Sequence, residues 1–241
     1  MIFIPGKTEY DFEAGQVILI DKPLEWTSFD VVNKVRYLLK NHLGLKKLKV
    51  GHAGTLDPLA TGLLVVCTGK FTKQIESLQA CDKEYVGTFM IGATTPSFDR
   101  ETEVDKTFLV DHITSQQIDE VLKSFIGEQD QIPPLFSAKQ IDGQRAYIAA
   151  RKGKNIEMKP SRISIEEMTL LDNSFPLITV KIKCSKGTYI RAIARDFGAR
   201  LGSGAYLHDL RRVSSGDFDL NNAIDILEFE KIIKNLQPIS K

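Results

Sequence analysis

Acidic residues are missing from one long stretch. No Asp or Glu lies between Val31 and Leu56, while Lys34, Arg36, Lys40, Lys46, Lys47 and Lys49 are all present. Cysteine is also scarce: Cys67, Cys81 and Cys184 are odd in number and widely spaced, which excludes a disulfide framework and a zinc site of paired cysteines. No apolar run approaches the ~20 residues that span a bilayer. Lys7, Glu9 and Asp11 follow the N-terminus too closely for a secretory signal. A soluble, cytoplasmic protein with no membrane partner is expected. Internal repeats and low-complexity segments are lacking as well.

What is present suits a globular protein. The 241 residues, 42% of them apolar, allow one large domain or two small ones with a sizeable core. A net charge of +1 excludes a uniformly basic nucleic-acid binder, but the charges are segregated. Residues 137–162 carry Lys139, Arg145, Arg151, Lys152, Lys154, Lys159 and Arg162 against Asp142 and Glu157. Residues 186–212 carry six Lys or Arg against Asp196 and Asp209. Such runs build basic faces on a near-neutral protein, and phosphate backbones favour such faces. A merely solvated surface is the alternative for each run.

The densest pattern is Val50-Gly51-His52-Ala53-Gly54-Thr55-Leu56-Asp57-Pro58-Leu59-Ala60-Thr61-Gly62. Three glycines bracket one His and one Asp, and an apolar run follows at once. This reads as a tightly wound loop feeding a strand. Pro58 pushes Asp57 away from helical angles, so a stiff loop presents one carboxylate. An isolated Asp-Pro is by itself an ordinary turn. The loop contains no basic residue to pair with Asp57.

Periodicity predicts the surrounding elements. Residues 16–24 read as a buried strand ending in the Asp21-Lys22-Pro23 turn. Thr27 or Ser28 caps a helix reaching about Asn41, with Phe29, Val32, Val35, Leu38 and Leu39 inward and a basic outer face. Strand 63–68 and a short helix at 71–78 follow. Residues 83–92 alternate, with Tyr85, Gly87, Phe89 and Ile91 on one face, and read as a strand largely buried on both sides. By spacing alone Tyr85 is a core or edge aromatic. Thr114 to Gln117 forms a capping box for a helix that Gly127 stops. Pro133 and Pro134 exclude a helix or central strand, and 144–152 reads as a short helix. Residues 161–171 and 177–184 form an antiparallel pair. A helix then runs to Leu201, with Ile190, Ile193, Ala194, Phe197 and Leu201 inward and Arg191 at the surface. A last helix covers 227–236. Interspersed strands and helices with at least one hairpin indicate an α+β fold with a largely antiparallel sheet.

The 50–62 string resembles the catalytic loop of the TruB family of bacterial tRNA pseudouridine synthases. The pattern G-H-x-G-x-L-D-P-x-A-x-G is met at every fixed position. Asp21-Lys22-Pro23, Lys83-Glu84-Tyr85 and Cys184 with Gly187-Thr188-Tyr189-Ile190-Arg191 also match family motifs, as does Leu207 to Val213 with Gly216 and Phe218. Residues 133–147 match the P-P-x-[FY]-S-A-x-K-x-x-G-x-R-x-Y pattern, with Lys139 one place early. Residues 94–102 match the family's T-x-T-x-D stretch only loosely, and no role carries over.

The resemblance implies the pseudouridine synthase fold, a mixed, largely antiparallel sheet with helices around an RNA-binding cleft and a thumb at about 130–160. It implies a catalytic domain over 1–218 and a short tail at 219–241, too short for the RNA-binding domain of the PUA type that many relatives add. It implies isomerisation of uridine 55 in the tRNA T-loop by a monomer with no obligate protein partner, no cofactor and no metal. Asp57 is the implied catalytic residue, and Arg191 the cation that pairs with it. By the same resemblance Tyr85 stacks on the base, Tyr189 and Leu210 wall the pocket, and His52 fills the space vacated by the flipped base or contacts the RNA. Two alternatives remain: a non-catalytic tRNA-binding protein or RNA chaperone on the same scaffold, and a glycosidase. The loop's single acid disfavours the glycosidase, which needs two carboxylates.

Overall fold

The apolar runs of the sequence become strands buried on both faces, and the amphipathic segments become helices laid on them. The structure, a computed structural model, describes residues 2–7, 9–135, 140–141, 144–145 and 158–236. In chain order the elements are β1 (Val17–Lys22), α1 (Ser28–Leu43), β2 (Val50–His52), β3 (Ala60–Thr68), a 3-10 turn (Gly69–Gln74), α2 (Ile75–Ala80) and β4 (Lys83–Ile91). Next come β5 (Ala93–Thr94), β6 (Lys106–Thr107), α3 (Ser115–Ser124), β7 (Gly127–Gln131), β8 (Gln140–Ile141), β9 (Gln144–Arg145), β10 (Ser161–Ser174) and β11 (Leu177–Cys184). The last are α4 (Ile190–Arg200), β12 (Ala205–Ser215), β13 (Phe218–Asp219), β14 (Ile224–Asp225) and α5 (Ile226–Asn235). Most of the expected helix at 144–152 and of the thumb lies outside the described residues; Gln144 and Arg145 belong to β9, paired with β8. The chain divides into two units, Met1–Glu84 with Arg211–Lys241, and Tyr85–Leu210.

In the first unit β1 is flanked by β3, antiparallel from Val17↔Cys67 to Lys22↔Gly62, and by β14, parallel at Ile20↔Ile224. One sheet face, Ile18, Ile20, Leu64 and Val66, packs under α1 and α5 through Val35, Leu38, Leu39, Phe229 and Ile233. The other face, Val17, Leu19, Leu63, Val65 and Cys67, packs against Ala53, Phe71 and Ile75. That two-sided burial explains why Val17 to Ile20 and Leu63 to Cys67 read as unbroken apolar runs. The segment after Phe218 contributes β14 and α5 to this core. Thr27 caps α1 in a complete capping box with Asp30. Val31, Val32, Val35, Leu38, Leu39 and Leu43 are buried, whereas Phe29 is 58% exposed. Each buried aliphatic stabilises by about 1.5–3 kcal/mol, so their arc of the helix sets its rotation and turns Phe29 outward against expectation.

In the second unit β10 pairs antiparallel with β11 on one side and with β7 on the other. Along β4, Tyr85, Gly87, Phe89 and Ile91 are buried, and Val86, Thr88 and Met90 only half-buried. The expected burial of both faces is therefore corrected to one face. The buried face meets α4: Phe89 lies 5.5 Å from Phe197, which lies 6.1 Å from Phe125 after α3. Thr114 and Gln117 form the expected capping box of α3. With β1 and β14 parallel in a mostly antiparallel sheet, and five α-helices among the described residues, the fold is α+β as expected. No described helix is long and apolar enough to cross a membrane.

Candidate active site

The candidate residues fall into two groups, one in each unit. His52 and Asp57 belong to the first unit; Tyr85, Tyr189, Arg191 and Leu210 belong to the second.

In the first unit the Asp57 loop is fastened on both sides of the aspartate. β2 pairs with β3 at Val50↔Thr68, Gly51↔Cys67 and His52↔Val66, and the Ala53 amide continues the ladder to Val65 at 2.8 Å. Just before Asp57, the buried Ser28 hydroxyl accepts from the Leu56 amide at 2.8 Å and donates to the Leu56 carbonyl at 3.1 Å. Just after it, the Pro58 carbonyl accepts from the Glu25 amide at 2.9 Å and from Lys22 Nζ at 3.4 Å. The half-buried Asp57 thus sits between two anchored neighbours, and its own carbonyl accepts from the Ala60 amide at 3.0 Å. Gly62 explains one required glycine: at φ +99°, an added Cβ would stand 2.3 Å from the Arg212 carbonyl oxygen.

Two buried cations that the local sequence does not reveal support this loop. Lys22 is fully buried, and its ammonium also donates to the carbonyls of Pro23 at 2.9 Å and Trp26 at 2.5 Å. Burial lowers its pKa to about 8; Asp57 opposes that shift and Arg212 adds to it. Arg212 is 1% exposed, with Nε donating to the Leu63 carbonyl at 2.7 Å and Nη2 to the Gly54 carbonyl at 3.1 Å. It therefore ties the loop to β3. His52 has a lowered pKa, chiefly through burial, with the Gly54 backbone opposing and the Arg212 charge adding to the effect. The ring is held towards its neutral form, and its buried Nδ1 has no hydrogen-bond partner among the described residues. Both cations stand in family motifs, Asp21-Lys22-Pro23 and Leu210-Arg211-Arg212, which is the one signal that marks them in the sequence.

In the second unit Arg191 is not the surface residue that helical spacing suggests. It is 5% exposed at the start of α4, with Nε 3.5 Å from Asp99 Oδ2 and Nη1 donating to the Ser97 carbonyl at 3.2 Å. Asp99 is held in turn: its Oδ1 accepts from the Glu101 amide at 2.9 Å, and its carbonyl accepts from the hydroxyls of Thr95 and Ser97. Sequence reasoning assigned no role to Asp99. Tyr189 is the N-cap residue of α4 and half-buried; Tyr85 is 8% exposed on β4; Leu210 is half-buried on β12. β12 neighbours β4 in the sheet. Among the described residues no group of three His, Cys, Asp or Glu is placed to hold a metal ion. The chemistry on offer is a carboxylate on a fixed loop in one unit, and a buried guanidinium with aromatic rings in the other.

Residues 40–190 match the model of the TruB family pseudouridylate synthase N-terminal domain. The chain belongs to the TruB family. A Flavobacterium johnsoniae protein named tRNA pseudouridine synthase B is 55% identical over 228 residues, 94% of this chain and all of that one. The Phocaeicola vulgatus protein of the same name is 53% identical, over 91% of this chain and 93% of its own. Among solved structures, one in the crystal structure of a Cbf5–Nop10–Gar1 complex superposes with a TM-score of 0.69 at 27% identity. It matches 91% of this TruB-family chain, which spans 54% of that longer one. The pseudouridine synthase fold expected from the sequence is therefore the fold found.

Proposed function

We propose that this TruB-family chain is a tRNA pseudouridine synthase that isomerises uridine 55 of the T-loop and works as a monomer. In this reaction the N1–ribose bond breaks, the uracil turns, and C5 bonds to the same ribose carbon. The proton lost from C5 is balanced by one gained at N1, so no oxidant, reductant or second substrate is consumed. The base must first leave its stack, which costs a few kcal/mol. Aromatic and apolar walls then have to hold a uracil that is for a time detached from the sugar.

In this reading Asp57 supplies the one ionised carboxylate and Arg191 is the cation that favours that form. Tyr85 stacks on the uracil, Tyr189 and Leu210 wall it in, and His52 contacts the RNA as a neutral imidazole. Asp99 orients Arg191, while Lys22, Ser28 and Arg212 hold the loop. The observation that carries the reading is the fastening of both neighbours of Asp57. A nucleophile or base needs a fixed direction, and a solvent-facing Asp-Pro turn has no use for a buried lysine and a buried arginine behind it. That same fastening disfavours a non-catalytic RNA-binding role. The test is incubation with an unmodified tRNA transcript, followed by chemical mapping of pseudouridine. One modified position in the T-loop is expected; an unmodified transcript overturns the proposal.

A further inference from the structure

The N-terminus of α4 is closed differently from those of α1 and α3. Its N-cap residue, Tyr189, makes no side-chain cap bond, whereas α1 and α3 both close with complete capping boxes. In such a box the side chain at the third helical position accepts from the N-cap amide. In α4 that position is Ala192, which has no acceptor to offer.

Gln131, 58 positions away in sequence, supplies it. Its Oε1 accepts from the Tyr189 amide at 2.8 Å, and its Nε2 donates to the Tyr189 carbonyl at 3.1 Å. Only one orientation of the Gln131 amide satisfies both groups, because the amide presents one accepting and one donating end. Gln131 is 3% exposed and ends β7, where it is paired with Ser161 of β10. The clamp therefore projects from a sheet rather than from a loop. The next residue is fastened to the same helix: Arg195 Nη2 donates to the Ile132 carbonyl at 3.2 Å. Tyr189 is extended, at φ −97° and ψ 108°, so the chain turns into the helix at this residue.

We propose that Gln131 is a positioning residue for the reaction. It caps α4 from a distant strand, and in doing so fixes the backbone from which the Tyr189 ring departs and the helical turn that carries Arg191. The inference rests on the proposed function, in which both side chains serve the uridine. A misplacement of about 1 Å costs up to a hundredfold in rate where reacting groups must be aligned, so loss of the clamp reaches the chemical step before it reaches RNA binding.

The test compares Gln131→Met, similar in length but with neither bond, and Gln131→Glu in the full chain. Three quantities are read: the single-turnover rate at saturating protein, the affinity for an unmodified tRNA transcript, and the melting temperature. Gln131→Met is expected to slow the single turnover about tenfold or more, with affinity within about threefold and the fold intact. In Gln131→Glu the ionised carboxylate still accepts from the Tyr189 amide but faces the Tyr189 carbonyl. Once protonated it donates to that carbonyl and restores the pair. Burial raises the pKa of such a carboxyl, so its rate relative to wild type recovers as pH falls from about 8.5 to about 6.

A Gln131→Met protein that turns over at the wild-type rate overturns the inference. So does a rate loss matched by an equal loss of tRNA affinity or of folded protein. Where the Met variant does not fold, the Glu variant decides by the presence or absence of recovery at low pH. An inert wild-type protein contradicts the proposed function and this inference with it; an active wild type with an unimpaired Met variant contradicts this inference alone.

Discussion

Ser28 holds Leu56 by both of its backbone groups, accepting from the amide at 2.8 Å and donating to the carbonyl at 3.1 Å. The first residue of α1 is thereby bonded to the residue before Asp57. Replacing Ser28 by Ala leaves two buried backbone groups without partners. The expected cost is about 1–2 kcal/mol of stability, seen as a melting temperature lower by about 2–8 °C. The single-turnover rate per folded molecule falls as well, since the loop loses its upstream anchor. A variant that melts and reacts like wild type contradicts this role.

Arg212 serves two carbonyls, those of Gly54 and Leu63, from one planar guanidinium. A lysine has no such fork. Arg212→Lys is expected to lower the unfolding free energy by about 2 kcal/mol or more, measured by urea denaturation, and to reduce activity further than the stability loss alone explains.

Asp99 and Arg191 are both buried, with 3.5 Å between Oδ2 and Nε. Asp99→Asn keeps an oxygen for the Glu101 amide but removes the charge that orients the guanidinium. The rate per folded molecule is expected to fall about tenfold or more, while tRNA affinity in a filter-binding assay stays near wild type.

The buried Lys22 ammonium gives a pH signature of defined sign. Its folded pKa is about 8 against an ordinary value of 10.5. Between those values the unfolded chain holds more protons, so this group's contribution to stability rises with pH through that window. Unfolding free energies of wild type and Lys22→Met, compared from about pH 7.5 to pH 10, are expected to diverge in favour of wild type as pH increases. The rate moves the other way. Above about pH 8 the neutral amine has one proton fewer for the carbonyls of Pro23, Trp26 and Pro58, so the support behind the Asp57 loop weakens and the wild-type single-turnover rate declines. A pH-independent difference in stability between the two proteins contradicts this assignment.

Much of the first unit is legible because its elements carry strong local signals. Thr27 with Asp30, and Val17 to Ile20, announce a cap and a buried strand, and both stand where expected. What escaped the sequence depends on long-range contact. Phe29 fits the apolar stripe by spacing yet faces solvent, because the buried arc runs from Leu38 through Val31, Val35 and Leu39 to Leu43 and ends short of it. Arg191 falls on the polar side of its helix by periodicity yet is buried, because Asp99 and the Ser97 carbonyl receive it from a loop some ninety residues earlier. Lys22, in the Asp21-Lys22-Pro23 turn, and Arg212, in a basic run, carry no local sign of burial. The carbonyls of Pro23, Trp26 and Pro58, and of Gly54 and Leu63, make their burial tolerable. A capping partner 58 positions away, such as Gln131, has no local signature at all.

The most direct measurement is pseudouridine mapping on an unmodified tRNA transcript after incubation with wild-type and Asp57→Asn proteins, with tRNA binding measured in parallel. Wild type is expected to modify the T-loop uridine at position 55 alone, and Asp57→Asn to bind the transcript with near-unchanged affinity but leave it unmodified. Pseudouridine formed by the Asn variant at a rate near wild type would contradict the central role of Asp57.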